Sequence, residues 1–249
     1  YRDAADDWGD AVSISSAATM VGTIAVGSIG NTTWSVSASP YLIIGDVTVL
    51  SNTTLTIESG VRVLFLAGTD LLQSGDFSDR AELIVNGTLN AEATDSANPI
   101  VFTSSASTPA ARDWGTIRFN AGAGGSLKYC EINAASYGIY TYGNNANPTI
   151  DNCTISNNSS SGVYANNYSA PTISNSTISN NSGDGLSYSN SSIDYVSSPL
   201  PSITNNTITG NDGYPVQTSC GNLRKLDTGS TYTGNGKDFI YVDSSSVGG

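Results

Sequence analysis

The chain has 249 residues and a formal net charge of −12, and only 12% of its residues are charged. Its nine Lys and Arg residues are scattered, which disfavours binding to nucleic acid or to an anionic membrane. The absence of His removes the commonest general base and metal ligand, and no apolar run reaches the roughly 18 residues that suggest a membrane span. The length suits one large all-β domain.

Residues 1–32 form an acidic and then apolar stretch that we interpret as an N-terminal extension or cap. The acidic part offers carboxylates for a calcium ion, the one cofactor that the sequence suggests, or is simply a solvated terminus. Its carboxylates are Asp3, Asp6, Asp7 and Asp10. In the apolar part, Ile24 and Val26 alternate as in a β-strand. That strand either caps its own domain or pairs with a neighbouring subunit by strand addition.

Residues 33–104 contain short apolar runs separated by glycines, which predicts closely spaced strands and turns without intervening helices. One polar segment, residues 70–82, interrupts them and is predicted to be a surface loop inserted between two strands. Its acidic residues, Asp70, Asp76, Asp79 and Glu82, are expected to be solvated, with a metal site as the alternative.

Residues 147–211 hold three copies of one pattern, NPTIDNCTISNN, APTISNSTISNN and LPSITNNTITGN. The copies start 23 and then 30 residues apart. A period in this range, with strand-forming residues and no helical pattern, predicts a solenoid of β-coils.

These repeats, together with the runs LTIESGVRVLF and WGTIRF, resemble the right-handed parallel β-helix repeat family, a pectate-lyase-like superfamily that includes surface proteins. The resemblance implies an all-β, right-handed parallel β-helix with three strands per coil. We place the helix at residues 33–221, after an N-terminal strand segment and before a C-terminal cap and tail at 222–249. The fold hosts unrelated activities, so it does not by itself define a function.

The repeat alignment predicts three apolar columns inside the coils and polar columns at their corners. The apolar columns contain Ile150, Ile173 and Ile203; Ile132, Ile155, Ile178 and Ile208; and Ile139, Val163 and Leu186. The corner asparagines are expected to be structural, because Asn tolerates left-handed backbone and its amide can bond along the stack. They are Asn152, Asn175 and Asn205 in one column and Asn158, Asn181 and Asn211 in another.

Two cysteines, Cys130 and Cys153, share a corner column with Ser176 and Asn206. Adjacent coils lie about 4.8 Å apart, so this pair could form a disulfide or remain two buried thiols. Cys220 has no partner in the alignment.

No constellation of residues in the sequence indicates catalysis, since Glu131 and Asp151 fall in different columns. An outward aromatic face is the candidate for binding glycans or a partner protein, with a stabilising aromatic stack as the alternative. It comprises Tyr140, Tyr142, Tyr164 and Tyr168. An outward hydroxyl array resembles an ice-binding face, with a plain solvated face as the alternative. It comprises Thr154, Ser156, Thr177, Ser179, Thr207 and Thr209.

Several Asn-x-Ser/Thr triplets favour an exported glycoprotein at the cell surface or outside the cell. Candidate glycosylation sites are Asn31, Asn52, Asn86, Asn167 and Asn190. The sequence therefore favours a non-catalytic structural or adhesive β-helix, as in a filament, sheath or surface layer, joined through its N-terminal strand. Its expected partners are copies of itself or surface glycans. A carbohydrate-binding or polysaccharide-degrading β-helix is the alternative, and an ice-binding protein is a remote one.

Overall fold

A computed structural model describes residues 22–189, 202–219, 222–223 and 226–243. The first strands are β1 (Thr23–Ile29), β2 (Thr32–Trp34), β3 (Tyr41–Val49), β4 (Thr54–Ile57), β5 (Arg62–Phe65), β6 (Leu83–Val85), β7 (Thr88–Glu92), β8 (Ile100–Ser104), β9 (Ile117–Phe119), β10 (Gly124–Lys128) and β11 (Cys130–Asn133). The later strands are β12 (Ile139–Tyr142), β13 (Thr149–Asp151), β14 (Thr154–Ser156), β15 (Val163–Asn166), β16 (Thr172–Ser174), β17 (Thr177–Ser179), β18 (Leu186–Ser189), β19 (Ser202–Thr204), β20 (Thr207–Thr209), β21 (Val216–Ser219) and β22 (Tyr241–Asp243). A short 3₁₀ helix, Val36–Ala38, lies between β2 and β3.

The strands stack in parallel on three faces, which confirms the expected all-β parallel β-helix. The first face contains β5, β8, β11, β14, β17 and β20, and the second contains β6, β9, β12, β15, β18, β21 and β22. The third face contains β2, β4, β7, β10, β13, β16 and β19. The long strand β3 belongs to both of the first two faces, because its first half pairs with β5 and its second half with β6.

The interior is apolar along its length, and the predicted columns are in register. Ile150 pairs with Ile173 on the third face, Ile155 with Ile178 on the first and Ile139 with Val163 on the second. All of these side chains are buried. Branched side chains that stack coil upon coil remove apolar surface from water, which is the main force that holds a solenoid together.

The predicted corner columns also form. Asn152, Asn175 and Asn205 have left-handed backbone, with φ of 53°, 51° and 56°. The other Asn column is buried, and its amides bond to one another along the stack: Asn158 Nδ2 donates to Asn181 Oδ1 at 2.8 Å, and Asn181 Nδ2 donates to Asn211 Oδ1 at 2.8 Å. We call this column the Asn ladder.

The glycine before each second-face strand of the repeats leaves room for the interior. A Cβ on Gly162 would lie only 2.5 Å from Ile178 Cγ2 and 2.9 Å from Asn181 Nδ2. Gly138 and Gly185 have the same surroundings one coil before and after. Any side chain at these positions would therefore displace the first-face isoleucines or the Asn ladder.

Coil pairing continues on both sides of the predicted range 33–221. At the start, β1 pairs with β3 of the same chain on both sides of a register shift. At the end, Leu226 bridges to Ile203, Thr231 bridges to Thr207, and β22 pairs with β21. The described part of the predicted cap therefore forms a further coil, and Asn235 extends the Asn ladder by accepting from Asn211 Nδ2 at 2.9 Å.

Candidate functional site

The first coil that the structure describes carries an uncharged, apolar surface. One edge of β1 pairs with β3, and among the described residues no strand pairs with its other edge. The side chains of Ile24 and Val26 on this strand are 62% and 41% exposed. The N-terminal strand therefore folds back on the β-helix of its own chain. This is the cap arrangement, one of the two that the sequence left open.

Two leucines of the segment between β5 and β6, residues 66–82 (the insert), extend this surface. Leu71 and Leu72 are 60% and 48% exposed. A Cβ built on Gly45 would lie 3.2 Å from Val26 Cγ2 and 3.2 Å from the Leu72 nitrogen, so the insert and β1 meet at this corner. We call the exposed side chains of Ile24, Val26, Leu71 and Leu72 the end surface.

The end surface is unusual in an acidic chain because no charged residue occurs from residue 22 to residue 45. The last coil differs, since it carries Asp227, Lys237, Asp238 and Asp243. Clustered, exposed apolar side chains without charge are typical of surfaces that contact another protein.

The insert that follows β5 is held by buried carboxylates, so the prediction that Asp70 and Glu82 are solvated is wrong. Asp70 is 5% exposed and Glu82 is 0% exposed, and Asp46 of β3, which the sequence did not single out, is 1% exposed. Asp70 is buried because the insert folds back over β3, where the Asp46 N–H donates to Asp70 Oδ1 at 3.2 Å. The surface-loop prediction does hold for Asp76 and Asp79, which are exposed.

The same carboxylates accept hydrogen bonds from the insert itself. Asp70 accepts from the N–H groups of Leu72 and Ser74 at 2.9 and 3.0 Å. Glu82 Oε2 accepts from the N–H groups of Asp76 and Phe77 at 2.6 and 3.2 Å. Side-chain oxygens thus satisfy amides that no strand in this irregular segment could pair.

These carboxyl groups also lie close to one another. A Cβ on Gly75, whose φ is +70°, would collide with Glu82 Oε2 and lie 3.0 Å from Asp46 Oδ2. Burial raises the pKa of Glu82 to about 7, with the neighbouring Asp46 adding to the effect. Burial also raises the pKa of Asp46. We call Asp46, Asp70 and Glu82 the carboxyl cluster.

The aromatic face on β12 and β15 forms as predicted for Tyr140, Tyr142 and Tyr164. Tyr140 stacks on Tyr164 with ring centroids 5.1 Å apart, and Tyr142 meets Tyr140 edge-on at 6.1 Å. Tyr168 follows the end of β15 with left-handed backbone, at a φ of 66°. Burial raises the pKa of Tyr140 to about 12 and also raises that of Tyr164, so both hydroxyls stay protonated near neutral pH.

Three residues that the sequence reading missed complete this face. The Tyr137 ring stacks on that of Tyr164 at 5.3 Å, and Phe77 of the insert lies 6.2 Å from Tyr137. Arg118 of β9 pairs with Tyr140 of β12, and its guanidinium lies 5.3 Å from the Tyr140 ring centroid. The register of WGTIRF against GIYTY could have placed Arg118 beside Tyr140, but Tyr137 and Phe77 lie outside the repeat pattern.

The ring faces of this cluster are largely covered by the cluster itself. Tyr140 lies between Arg118 and Tyr164, and Tyr137 contacts Tyr164. Tyr142 is exposed, whereas Tyr137, Tyr140 and Tyr164 are half-buried. The geometry therefore suits a stabilising aromatic stack, and glycan binding at this face stays a prediction.

The first face carries a groove of about 450 Å³ that the sequence reading did not identify. Its floor includes Arg62, Val101 and Glu131 on three neighbouring strands, and Ser105 and Pro109 belong to the loop that borders it. The register pairs Val101 with both Arg62 and Glu131, so the two charged residues lie on either side of an apolar one. Such a groove can hold a small polar ligand, but it brings no two carboxylates together for acid–base chemistry.

Cys130 and Cys153 are two buried free thiols in the structure and do not form a disulfide there. Their column is in register: the Cys130 N–H donates to Cys153 Sγ at 3.4 Å, and the Cys153 N–H donates to Ser176 Oγ at 3.1 Å. Burial raises the pKa of the Cys130 thiol, which keeps it unreactive. Cys220 lies outside the described residues.

The predicted metal and glycosylation sites are only partly within the described residues. Asp3, Asp6, Asp7 and Asp10 lie outside them, as does Asn190. Asn31 and Asn52 are exposed, whereas Asn86 and Asn167 are half-buried. In the described ranges, no three acidic or Cys side chains are arranged to hold a metal ion, and no helix there could span a membrane. Calcium binding and glycosylation stay predictions.

Two family models match the chain. One, described as a right handed beta helix region, matches residues 93–248. The other, described as a pectate-lyase like beta helix domain, matches residues 22–147. No curated protein and no solved structure matches the chain.

Proposed function

The chain belongs to the right-handed β-helix family, whose fold hosts unrelated activities, and on this premise we propose that it is an exported, non-catalytic structural or adhesive module. Copies of it join through the end surface to build a filament, sheath or layer at the cell surface. Its low content of charged residues and its exposed Asn-x-Ser/Thr sites at Asn31 and Asn52 support an extracellular setting.

The end surface is the single observation that carries the proposal. It combines exposed apolar side chains, an open strand edge and the absence of charge on the first coil. Two copies of a chain with a net charge of −12 repel each other, so they associate most readily where neither carries charge. A second copy of this chain is therefore the partner that this surface fits.

The contact depends on side chains more than on a continuous strand ladder. The register between β1 and β3 shifts between Ala25 and Gly27, which bends the outer edge of β1. Such irregularities limit the pairing of one edge strand with another. The exposed apolar side chains to bury are then Ile24, which precedes the shift, and Val26, which lies within it.

Sedimentation velocity over a range of concentrations tests the proposal with Val26→Lys. We expect assemblies larger than the monomer for the wild type and at least a tenfold weaker association for the variant, because a buried unpaired charge is costly. The matched control is Thr154→Lys, which adds the same charge at an exposed position of β14 in the middle of the solenoid. A wild type that stays monomeric, or a Val26→Lys variant that assembles like Thr154→Lys, would refute the proposal.

A further inference from the structure

The insert between β5 and β6 is seated by acidic groups without a basic partner. Asp46 lies at its centre: Oδ1 accepts from the Glu82 N–H at 2.7 Å, and Oδ2 accepts from Ser74 Oγ at 2.6 Å. Together with the amide contacts of Asp70 and Glu82, these bonds hold the insert against β3. The three carboxyl groups of Asp46, Asp70 and Glu82 thus all accept hydrogen bonds within one buried cluster.

The charged groups around the cluster come from three elements. β3 contributes Asp46, and the insert contributes Asp70, Asp76, Asp79 and Arg80. From β9, Arg118 pairs with Asp76, while Arg80 pairs with Asp79 at 2.8 Å and donates to the Arg112 carbonyl. Both guanidinium groups are therefore engaged outside the cluster, and neither neutralises Glu82.

Glu82 is the group for which ionisation is most costly. Its side chain is fully buried, and Oε1 has no hydrogen-bond partner. Its other oxygen faces Asp46 across Gly75. A negative charge on this carboxyl would be desolvated, incompletely bonded and repelled by its neighbour, whereas a neutral carboxyl avoids most of that cost. The raised pKa of Glu82, about 7, agrees with this geometry.

We propose that Glu82 is a proton-operated latch for residues 66–82, which seats the insert when protonated, loosens it when ionised, and so controls the end surface. The seated insert holds Leu72 beside Val26, because the Leu72 N–H is bonded to Asp70 in the same cluster. Loosening removes Leu71 and Leu72 from their position on the end surface. Assembly of copies is then favoured at mildly acidic pH and weakened above neutral pH. The assembly part of this inference rests on the proposed function, whereas the latch itself does not.

Hydrogen exchange at the amides of Asp76 and Phe77 measures directly whether the insert is held by Glu82, because both N–H groups donate to this side chain. The measurement uses the full wild-type chain, diluted until sedimentation velocity shows only the monomer, so that assembly does not contribute to protection. After correction for the intrinsic pH dependence of exchange, we expect protection at these amides to fall on the order of tenfold between pH 5.5 and 8.5. Protection that does not change with pH would overturn the proposal.

Glu82→Gln supplies the matched variant, because its amide oxygen can accept the same two hydrogen bonds without titrating. We expect protection at Asp76 and Phe77 to be the same at both pH values in this variant. Glu131→Gln, which removes an exposed carboxylate on β11, should behave like the parent chain. Asp46→Asn offers a second variant: removal of the neighbouring charge should move the transition to lower pH. A pH effect that persists unchanged in Glu82→Gln would assign it to another group and overturn the latch.

Assembly gives the second measurement, at higher protein concentrations where the wild type is expected to associate. Wild type should associate at least tenfold more weakly at pH 8.5 than at pH 5.5, and Glu82→Gln should associate equally at both. If exchange responds to pH but association does not, the control of the end surface by the latch is wrong. If wild type does not associate at any pH, the proposed function fails, and the exchange experiment still decides whether the latch exists.

Discussion

The regular coils of residues 147–211 and the coils that carry the insert bury polar side chains in opposite ways. In the regular coils the buried polar groups are neutral amides and hydroxyls, and Asn181 both accepts and donates within the Asn ladder. Beside the insert they include three carboxyl groups, and Glu82 keeps one oxygen without a partner. Both regions stack on the same three-sided interior.

This difference separates a permanent structure from a conditional one. An amide carries donor and acceptor together, so a column of amides satisfies itself at any pH. A carboxylate only accepts, so a group of carboxyls needs either protons or cations to be stable when buried. The regular coils are therefore expected to stay rigid at any pH, whereas the insert is expected to respond to a change in pH.

The largest effect is expected from breaking the ladder with Asn181→Ala. The change leaves the buried N–H and Nδ2 of Asn158 without their acceptor, at a cost of about 3–5 kcal/mol in the free energy of unfolding. Urea denaturation measures it, with the exposed Asn144→Ala as a control that should change stability by less than about 0.5 kcal/mol. The loss should be equal at pH 5.5 and 8.5, and a loss that varies with pH would contradict the contrast between the two regions.

A smaller, pH-dependent effect is expected at Glu82. Burial raises its pKa from the ordinary 4.5 to about 7, so the folded state binds the proton more tightly than the unfolded chain does. The stability of the folded state is then fully present below pH 4.5 and falls as pH rises through 7, by about 2 kcal/mol between pH 5.5 and 8.5. Burial also raises the pKa of Asp46, which acts in the same direction.

Unfolding free energies measured across that pH range check this expectation. Glu82→Gln should remove most of the slope and be more stable than wild type at pH 8.5, whereas Glu131→Gln should keep the wild-type slope. Equal slopes in wild type and Glu82→Gln would show that the carboxyl is ionised at little cost in the folded chain.

The repeats predicted the regular coils well because the residue type of each column recurs at the same position in several copies of the repeat. The positions of Ile155, Ile178 and Asn181 follow from the period alone, and the structure has them in register. The bends also follow, because Asn152 and Asn175 recur where left-handed backbone is needed.

The carboxyl cluster could not be predicted in this way because it occurs once. Asp70 and Glu82 have no counterparts in neighbouring coils, and their burial depends on how the insert folds back onto β3. Asp46 follows Gly45 inside an apolar run and gave no local sign of its partners. Tyr137 and Phe77 were missed for the same reason, since they meet only because the insert reaches the second face.

The smallest effect is expected on the outer side of the regular coils, where neither amide nor carboxyl burial operates. Thr154, Thr177 and Thr207 are in register on the first face, and the row ends where Glu131 pairs with Thr154. Thr177→Val keeps the β-branched shape and should change the free energy of unfolding by less than about 0.5 kcal/mol. Thermal hysteresis measured alongside should be absent in both wild type and variant, because a charged side chain interrupts the hydroxyl row. Hysteresis that is present in wild type and lost in Thr177→Val would instead make this row an ice-binding face and give the rigid coils a binding role of their own.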